Sequence, residues 1–464
     1  MLVSDYNYDL PEDRIAKFPP KERGTTRLLV LNRKTGATED SYYRNLDQYL
    51  NKGDVLILND TRVMQSRLFC TLPDGREREL VVLEKHGDEP QRVMYRGKLH
   101  DGDKLFINTK LEMPPSSYSA TNGHSDMGGW PSLGDSQQSF NDDGGKCEVG
   151  TRPETAGQEV VIIKQILGNG IAEVESNVPL AELAEKYGTV PLPPYLHRDA
   201  TNDDKKRYQT VWAKHMGSAA APTASLNMTE DLLNRLQEKG VIVKYLTLHV
   251  GLGTFLPMRT DKVEDHHMHS EWFHIPEETI EAIKSIKERQ VLAEPVFSDV
   301  GLEFSSTSYA GTPAEPSLRD EPVDQMSPAG RRLDTKSKLS VYSAPTAFGS
   351  VRNIGVENSN QFIHPKKQDS ATHPRIIALG TTVARTLEYY ARTGKTEGED
   401  DIFIYPGFDF KIVDALITNF HAPKSTVLML ASAFAGWDNL KNAYDHAVKE
   451  KYNFLSYGDS MFIC

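Results

Sequence analysis

Residues 414–436 read DALITNFHAPKSTVLMLASAFAG. A short apolar strand, DALITNFH, ends in polar residues. Pro423-Lys424-Ser425-Thr426 then opens a helix, VLMLASAFAG, that stops at Gly436. A strand that empties through a small polar loop into a helix is the unit of an α/β fold. The same unit recurs upstream. VIVKYLTLHV (241–250) runs into the glycine-bearing GLGTF, and RIIALG (375–380) is followed by Thr381-Thr382, read as the cap of the helix VARTLEYYART. Thr229 is the expected N-cap of EDLLNRLQEK, with Leu232, Leu233 and Leu236 on one face and Gly240 as the stop. SYGDSMFIC closes the chain as a strand. Polar loops at strand ends (249–254, 380–382 and 419–426) are where α/β proteins bind ligands, and the helix starts at 381 and 424 offer N–H groups to a carboxylate or phosphate. None is a nucleotide loop by pattern: GLGTF lacks the third glycine of a dinucleotide fingerprint, and no G-x-x-x-x-G-K-[ST] occurs.

The N-terminal part has another rhythm. RLLVLNRKTGATEDSYY (27–43) reads as two strands around a turn at Lys34-Thr35-Gly36, and DVLILND (54–60) as a buried strand. RLFCTL, RELVVLEK, RVMYRG, DKLFIN and EVVIIKQILGNGIAEVE follow as short strands separated by turn residues, the pattern of a small barrel or compact sheet. Residues 112–157 and 292–374 are of low complexity, rich in Ser, Gly, Asp and Pro, and are expected to be disordered or loosely attached. They carry too little apolar surface to offset the entropy of ordering them.

The 464 residues allow two or three domains. Three scattered cysteines, Cys70, Cys147 and Cys464, argue against a disulfide framework or a cysteine zinc site and fit a reducing compartment. The N-terminus lacks the apolar segment of a secretory signal, and the longest apolar run (427–436) is too short to span a bilayer. A soluble, cytoplasmic protein is expected, with no membrane association. The net charge of −12 excludes a generally basic nucleic-acid binder and leaves room for one basic face.

Residues 263–275, VEDHHMHSEWFHI, gather His266, His267, His269, Glu271 and His274. Such a cluster suits a metal site, a proton-handling or substrate-binding surface, or plain structural polarity. No cysteine or distant carboxylate pair completes a metal set, so no metal is assigned. Other positions carry two readings each. His249 contacts substrate or caps a strand end. Asp60 and Arg62 form an ion pair or hold ligand. Arg385 meets a carboxylate or lies on a solvated helix face. Asn419, His421 and Lys424 surround a helix start as anion or ribose binders. Asp459 orients a base or forms a turn.

LNDTRV (58–63), PLPPY (191–195), RYQTVWA (207–213), AAPTASL (220–226), TLHVGLGTF (247–255), HHMHSE, GTTVARTLE, DALITNFHAPKSTVLMLASAFAG and FLSYGDSMFI occur in that order. On these motifs the chain closely resembles the S-adenosylmethionine:tRNA ribosyltransferase-isomerases of queuosine biosynthesis, over everything outside the two low-complexity segments. The resemblance implies an α/β fold in which a larger α/β domain (1–65 and 185–464) carries an inserted small β-barrel domain (66–184), with the two low-complexity insertions at 112–157 and 292–374. It implies an enzyme that moves the ribosyl part of S-adenosylmethionine onto 7-aminomethyl-7-deazaguanine in the anticodon wobble position of tRNA, leaving an epoxide-bearing ring and releasing adenine and methionine. S-adenosylmethionine is then a consumed substrate, and no cofactor is called for. Such chemistry needs a base beside the sulfonium, a proton donor for adenine, and groups that hold a carboxylate and RNA phosphates. Under this reading the catalytic candidates are His249, His266, His269, Glu271 and Asp459. The substrate-binding candidates are Asp60, Arg62, Thr223, Gly251, Gly253, Thr381, Thr382, Arg385, Asn419, His421 and Lys424.

The chain also departs from the family. APTASLNMT stands where family members usually read APTAGLHFT, so Ser225 replaces a glycine, Asn227 a histidine and Met228 a phenylalanine. Leu256 stands where arginine is common. An asparagine does not titrate, so if that histidine moves protons Asn227 cannot. Two further functions therefore stand beside the enzyme: a catalytically weakened tRNA- or S-adenosylmethionine-binding homologue, and, ranked last, a metal-dependent hydrolase built on HHMHSE. The oligomeric state stays open.

Overall fold

In chain order the strands of this computed structural model are β1 (Arg27–Leu31), β2 (Thr38–Tyr42), β3 (Val55–Asn59), β4 (Thr61–Val63), β5 (Arg67–Thr71), β6 (Glu77–Val82), β7 (Arg92–Arg96), β8 (Lys104–Ile107) and β9 (Val160–Gly168). They continue as β10 (Ile171–Ser176), β11 (His215–Ser218), β12 (Ile242–Leu248), β13 (Glu271–His274), β14 (Ile376–Leu379), β15 (Glu397–Asp400), β16 (Ala415–Asn419) and β17 (Ser460–Ile463). The helices are α1 (Leu180–Tyr187), α2 (Asp204–Arg207), α3 (Glu230–Glu238), α4 (Glu277–Ala293), α5 (Thr381–Thr393), α6 (Thr426–Ala435) and α7 (Trp437–Lys449). The structure describes residues 1–83, 90–108, 159–168, 170–255, 258–293 and 373–464. The expectations for 112–157, for nearly all of 292–374 and for Leu256 lie outside the described residues.

Nine strands form one sheet in the order β15-β13-β12-β3-β14-β16-β17-β1-β2. Its centre, β12-β3-β14-β16, is parallel throughout. Every residue of β3, β14 and β16 is buried, because both faces are covered, and this is why VLIL and IIAL read as unbroken apolar runs. Period-two alternation sends Leu29, Leu31, Val55 and Ile57 to the face packed by α4, α5, α6 and α7. Leu28, Val30, Leu56 and Leu58 go to the other face, where Leu232, Leu233 and Leu236 of α3 meet Tyr43 and Leu46. Thr229 caps α3 as expected, its hydroxyl accepting from the Leu232 N–H. The cap of α5 differs from expectation. Gly380, at φ +108°, is its N-cap, and Thr381 and Thr382 are its first residues, with no side-chain capping bond.

The short-strand series closes on itself as a six-stranded barrel, β10-β7-β6-β5-β8-β9. Leu68, Cys70, Leu80, Val93, Leu105 and Val161 fill it, and α1 plugs it with Leu180, Leu183 and Ala184. Closure removes the sheet edges that short strands would otherwise expose. Two devices join barrel to sheet: the parallel pair β4 and β11, and a bridge between Arg67 and Thr189. At the second, Gly188 passes so close to the chain of Gln65 that a Cβ would lie 1.8 Å from the Gln65 carbonyl oxygen.

The chain leaves β3 for the barrel, returns to the sheet at β12 on one side of β3, then crosses to β14 on its other side. Connections that diverge from β3 in this way open a crevice at the carboxyl ends of the parallel strands. Gly188→Ala is expected to lower stability by at least about 1–3 kcal/mol, since backbone cannot move aside as a side-chain end can. Chemical denaturation of the variant checks this, and an unchanged midpoint would contradict the close approach.

Candidate functional site

The crevice is a cleft with about 1010 Å³ of empty space. Loops from β12, β14 and β16 supply its floor: Val250 and Thr254, Gly380 to Thr382, and Thr418 to Pro423. Pro194, Tyr195, Pro222, Phe420 and Leu455 make much of the wall apolar. A second chamber of about 320 Å³ opens beside it and shares Thr254, Thr381, Thr382 and Val427 with it. The two are continuous around the N-terminus of α5.

Asn419 ends β16 and is 2% exposed, yet neither its amide nitrogen nor its amide oxygen has a hydrogen-bond partner. A buried amide left with both groups unpaired costs several kcal/mol by rough estimate unless a ligand or solvent satisfies it. Beside it, Nε2 of His421 and the Thr418 hydroxyl are 2.8 Å apart. Burial pushes the imidazole down to about 3, so His421 is neutral at ordinary pH and serves as a fixed polar group, not an acid.

Behind the glycine loop lies a buried ionic cluster. Glu271 Oε2 meets Arg385 Nη2 at 2.7 Å, and Arg385 Nε meets Asp400 Oδ2 at 3.3 Å. Burial works against the guanidinium's charge, but the two carboxylates hold its pKa above the ordinary arginine value. Glu271 Oε1 also accepts from the Gly251 N–H at 2.7 Å and the Thr254 hydroxyl at 3.3 Å. Glu271 thus clasps the loop to α5. Arg385 is neither solvated nor unpartnered, and it still lines the second chamber.

The histidines divide. His249 is buried, with Nδ1 2.8 Å from the Thr61 hydroxyl and its ring stacked on Trp272 at 5.1 Å. His269 is pressed on the loop: a Cβ at Gly253 would lie 1.9 Å from its Nε2, so a side chain there would require the His269 ring to shift. Burial lowers the pKa of both His269 and His266, and Nε2 of each is buried without a hydrogen-bond partner. His266 packs edge-on against Phe403. His267 is exposed, and the His274 ring lies parallel to Trp272 at 6.5 Å. Among the described residues no group of three or more His, Cys, Asp or Glu side chains is placed to hold a metal. Glu271 and His269 lie against residues 251–254, and none of His249, His266, His269 and Glu271 lines either chamber.

Of the substrate-binding candidates, Thr223, Thr381, Thr382, Asn419 and His421 line the larger cleft. Asp459 does not. Each of its carboxylate oxygens accepts a backbone N–H, of Arg27 at 2.6 Å and Asn453 at 2.7 Å, so it braces the chain before β17. Asp60 and Arg62 do not pair: Asp60 accepts from the Thr247 hydroxyl at 2.6 Å and lies near His215, while Arg62 is exposed. Lys424 is exposed at φ +57° and is not among the residues that line the cleft. Tyr195 and Ser456, whose hydroxyls bond each other at the cleft wall, were not singled out in the sequence. PLPPY enters the sequence reading only as a motif, and SYGDS only for its acid.

Asn227 is 2% exposed, and its amide donates to the Gly458 carbonyl at 3.0 Å and the Ser460 hydroxyl at 3.1 Å. It ties the start of α3 to β17 and is absent from the cleft wall, so the loss of a titrating group there removes nothing from the described cleft. Ser225 is buried and is not among the residues with positive φ, so its backbone does not call for glycine.

A cleft at a switch point of a doubly covered sheet, with a barrel attached, defines an α/β ligand-binding protein. The family described as queuosine biosynthesis protein matches residues 3–296 and 357–463, and the chain belongs to it. It is 39% identical to the S-adenosylmethionine:tRNA ribosyltransferase-isomerase of Pelodictyon phaeoclathratiforme over 472 aligned positions, and 35% identical to that of Sulfurihydrogenibium sp., with both chains covered completely in each case. It is also similar to the crystal structure of an S-adenosylmethionine tRNA ribosyltransferase from Thermotoga maritima, at 24% identity and a TM-score of 0.42 over 99% of this chain and 100% of that one.

Two measurements check the site. Arg385→Met leaves Glu271 and Asp400 buried without their cation and is expected to cost about 3–5 kcal/mol in denaturant unfolding; a loss below about 1 kcal/mol would mean that the cluster is solvated. For His421, the unfolded chain takes up a proton below about pH 6.5 that the folded chain refuses until about 3. Its contribution is therefore complete above that window and is lost as pH falls, at up to about 1.4 kcal/mol per pH unit. Between pH 7 and 4.5, His421→Asn should show a shallower loss of stability than the parent, and parallel curves would contradict the assignment.

Proposed function

We propose that this chain transfers and isomerises the ribosyl part of S-adenosylmethionine onto 7-aminomethyl-7-deazaguanine in the wobble position of tRNA. Adenine and methionine are released and epoxyqueuosine-tRNA is formed. The observation that carries the reading is that every residue lining the two chambers falls within the stretches matched by the family, 3–296 and 357–463. The relatives named for this reaction match the chain from end to end.

The chemistry fits what the cleft offers. Its apolar walls suit a flat base, and the paired donor and acceptor of Asn419 suit the edge of adenine or the ribose hydroxyls. His269 and His266, neutral and with Nε2 unpaired, are proton-handling groups held behind the glycine loop, and His249, oriented by Thr61 and Trp272, is a third. Glu271 positions that loop. Thr223, Gly251, Gly253, Thr381 and Thr382 shape the substrate surface. Asp60 holds Thr247 and the end of β3, while Arg385 meets the substrate from the second chamber. The exposed side chains of Arg62 and Lys424, without a hydrogen-bond or ion-pair partner among the described residues, suit RNA phosphates despite the chain's net charge of −12. S-adenosylmethionine enters as a substrate, no separate cofactor is invoked, and the cytoplasm, where tRNA is modified, is the expected location. Among the described residues no helix is long and apolar enough to cross a membrane.

The test is release of adenine from S-adenosylmethionine in the presence of tRNA bearing the 7-aminomethyl-7-deazaguanine. Asn419→Ala should lower kcat/KM about 10–100-fold, the cost of about 1.4–2.7 kcal/mol of lost polar recognition, with the unfolding midpoint preserved. Absence of adenine release by the wild-type chain with this tRNA would sink the reading.

A further inference from the structure

The second chamber differs in character from the cleft it joins. Met268, Ile402, Phe403, Ile404, Val427 and Leu430 give it an apolar wall. Its polar groups are hydroxyls and one guanidinium, with no side-chain amide. Thr426 is 4% exposed, lines this chamber, and its hydroxyl has no hydrogen-bond partner. Arg385 uses Nε and Nη2 on Asp400 and Glu271, while no hydrogen bond engages Nη1. Thr381 and Thr382, the first residues of the 13-residue α5, stand where the two chambers meet, and no side chain caps that helix. Its leading N–H groups therefore have no side-chain acceptor, and the helix dipole favours an anion there.

Apolar walls around a set of donors suit a short aliphatic chain that ends in a carboxylate. They do not suit a purine, whose edge alternates donors and acceptors; the group matched to such an edge, Asn419, lies in the larger cleft. We infer that the second chamber is the subsite for the aminocarboxypropyl arm of S-adenosylmethionine, which leaves together with the sulfur and its methyl group as methionine. This rests on the function proposed above. The methylenes lie against Met268, Phe403 and Leu430, and the carboxylate meets the Thr426 hydroxyl, Nη1 of Arg385 and the N-terminus of α5. The sulfonium then sits at the junction by Thr254, Thr381 and Thr382, and the nucleoside extends into the larger cleft beside Asn419. This division gives Glu271 a purpose beyond packing: by fixing Arg385 and Thr254 together, it sets the opening through which the sulfonium centre passes.

5′-Methylthioadenosine keeps the nucleoside, the sulfur and its methyl group but lacks the aminocarboxypropyl chain and, with it, the sulfonium charge, so the variants are compared on each ligand separately. Calorimetric titration of the full-length chain with each ligand should show tighter binding of S-adenosylmethionine. Met268→Trp, which fills the chamber from a half-buried wall position, should weaken S-adenosylmethionine at least about tenfold and leave 5′-methylthioadenosine within about twofold. Thr426→Val, nearly isosteric, should weaken S-adenosylmethionine about three- to tenfold, again without effect on the truncated ligand; it keeps the test sharp if the larger substitution disturbs folding. Equal weakening of both ligands, no weakening of either, or equal affinity of the wild type for the two would overturn the subsite while leaving the enzymatic reading intact. A wild type that binds neither ligand and releases no adenine would instead remove the function on which the subsite rests.

Discussion

One carboxylate, that of Glu271, fixes the geometry on which the rest of the site depends. It receives the Gly251 N–H and the Thr254 hydroxyl on one oxygen and the Arg385 guanidinium on the other. Three stretches distant in sequence, the loop after β12, strand β13 and helix α5, are held by a single buried group. Asp400 completes the arrangement because β13 and β15 pair with Glu271 directly opposite it. Burying two carboxylates and a guanidinium is expensive, and apolar residues would often be as stable. What the cluster supplies is position, since ionic hydrogen bonds tolerate little displacement where an apolar contact would slide.

The glycines of the loop follow from that clasp. With Gly251 drawn toward Glu271 and His269 lying against Gly253, a side chain at position 253 would displace the His269 ring. The loop therefore presents Val250 and Thr254 to the cleft and keeps its histidines behind it. His269 and His266 are shielded enough to stay neutral near physiological pH, and their unpaired ring nitrogens keep them able to accept a proton.

The barrel is held by similar economy of contact. The β4–β11 pair continues directly from the end of β3, where Asn59 accepts the Thr61 and Leu248 N–H groups through its side chain. Thr61 in turn reaches His249. The strand that leads out toward the barrel is thus the same one that orients a histidine at the cleft, so barrel and site are joined through the end of β3.

The sequence by itself determined the elements. Apolar runs at β3, β14 and β16, the alternation in the barrel strands, the Thr229 cap and the Gly240 stop follow from local periodicity and backbone preference, which neighbours in sequence decide. It also marked the loops at 249–254, 380–382 and 419–426, because polar residues at strand ends stand out against buried strands. Only the tertiary structure decided what those loops do. It paired Arg385 with Glu271 and Asp400, spent Asp459 on two backbone N–H groups, and parted Asp60 from Arg62. It turned Lys424 to solvent, placed Asn227 behind β17, and brought Tyr195 to Ser456. These contacts join atoms that lie from 6 to 432 positions apart along the chain. A charge or an amide has the same residue type whether its partner is substrate, backbone or solvent, so spacing along the chain cannot distinguish a binding group from a brace; burial and direction can.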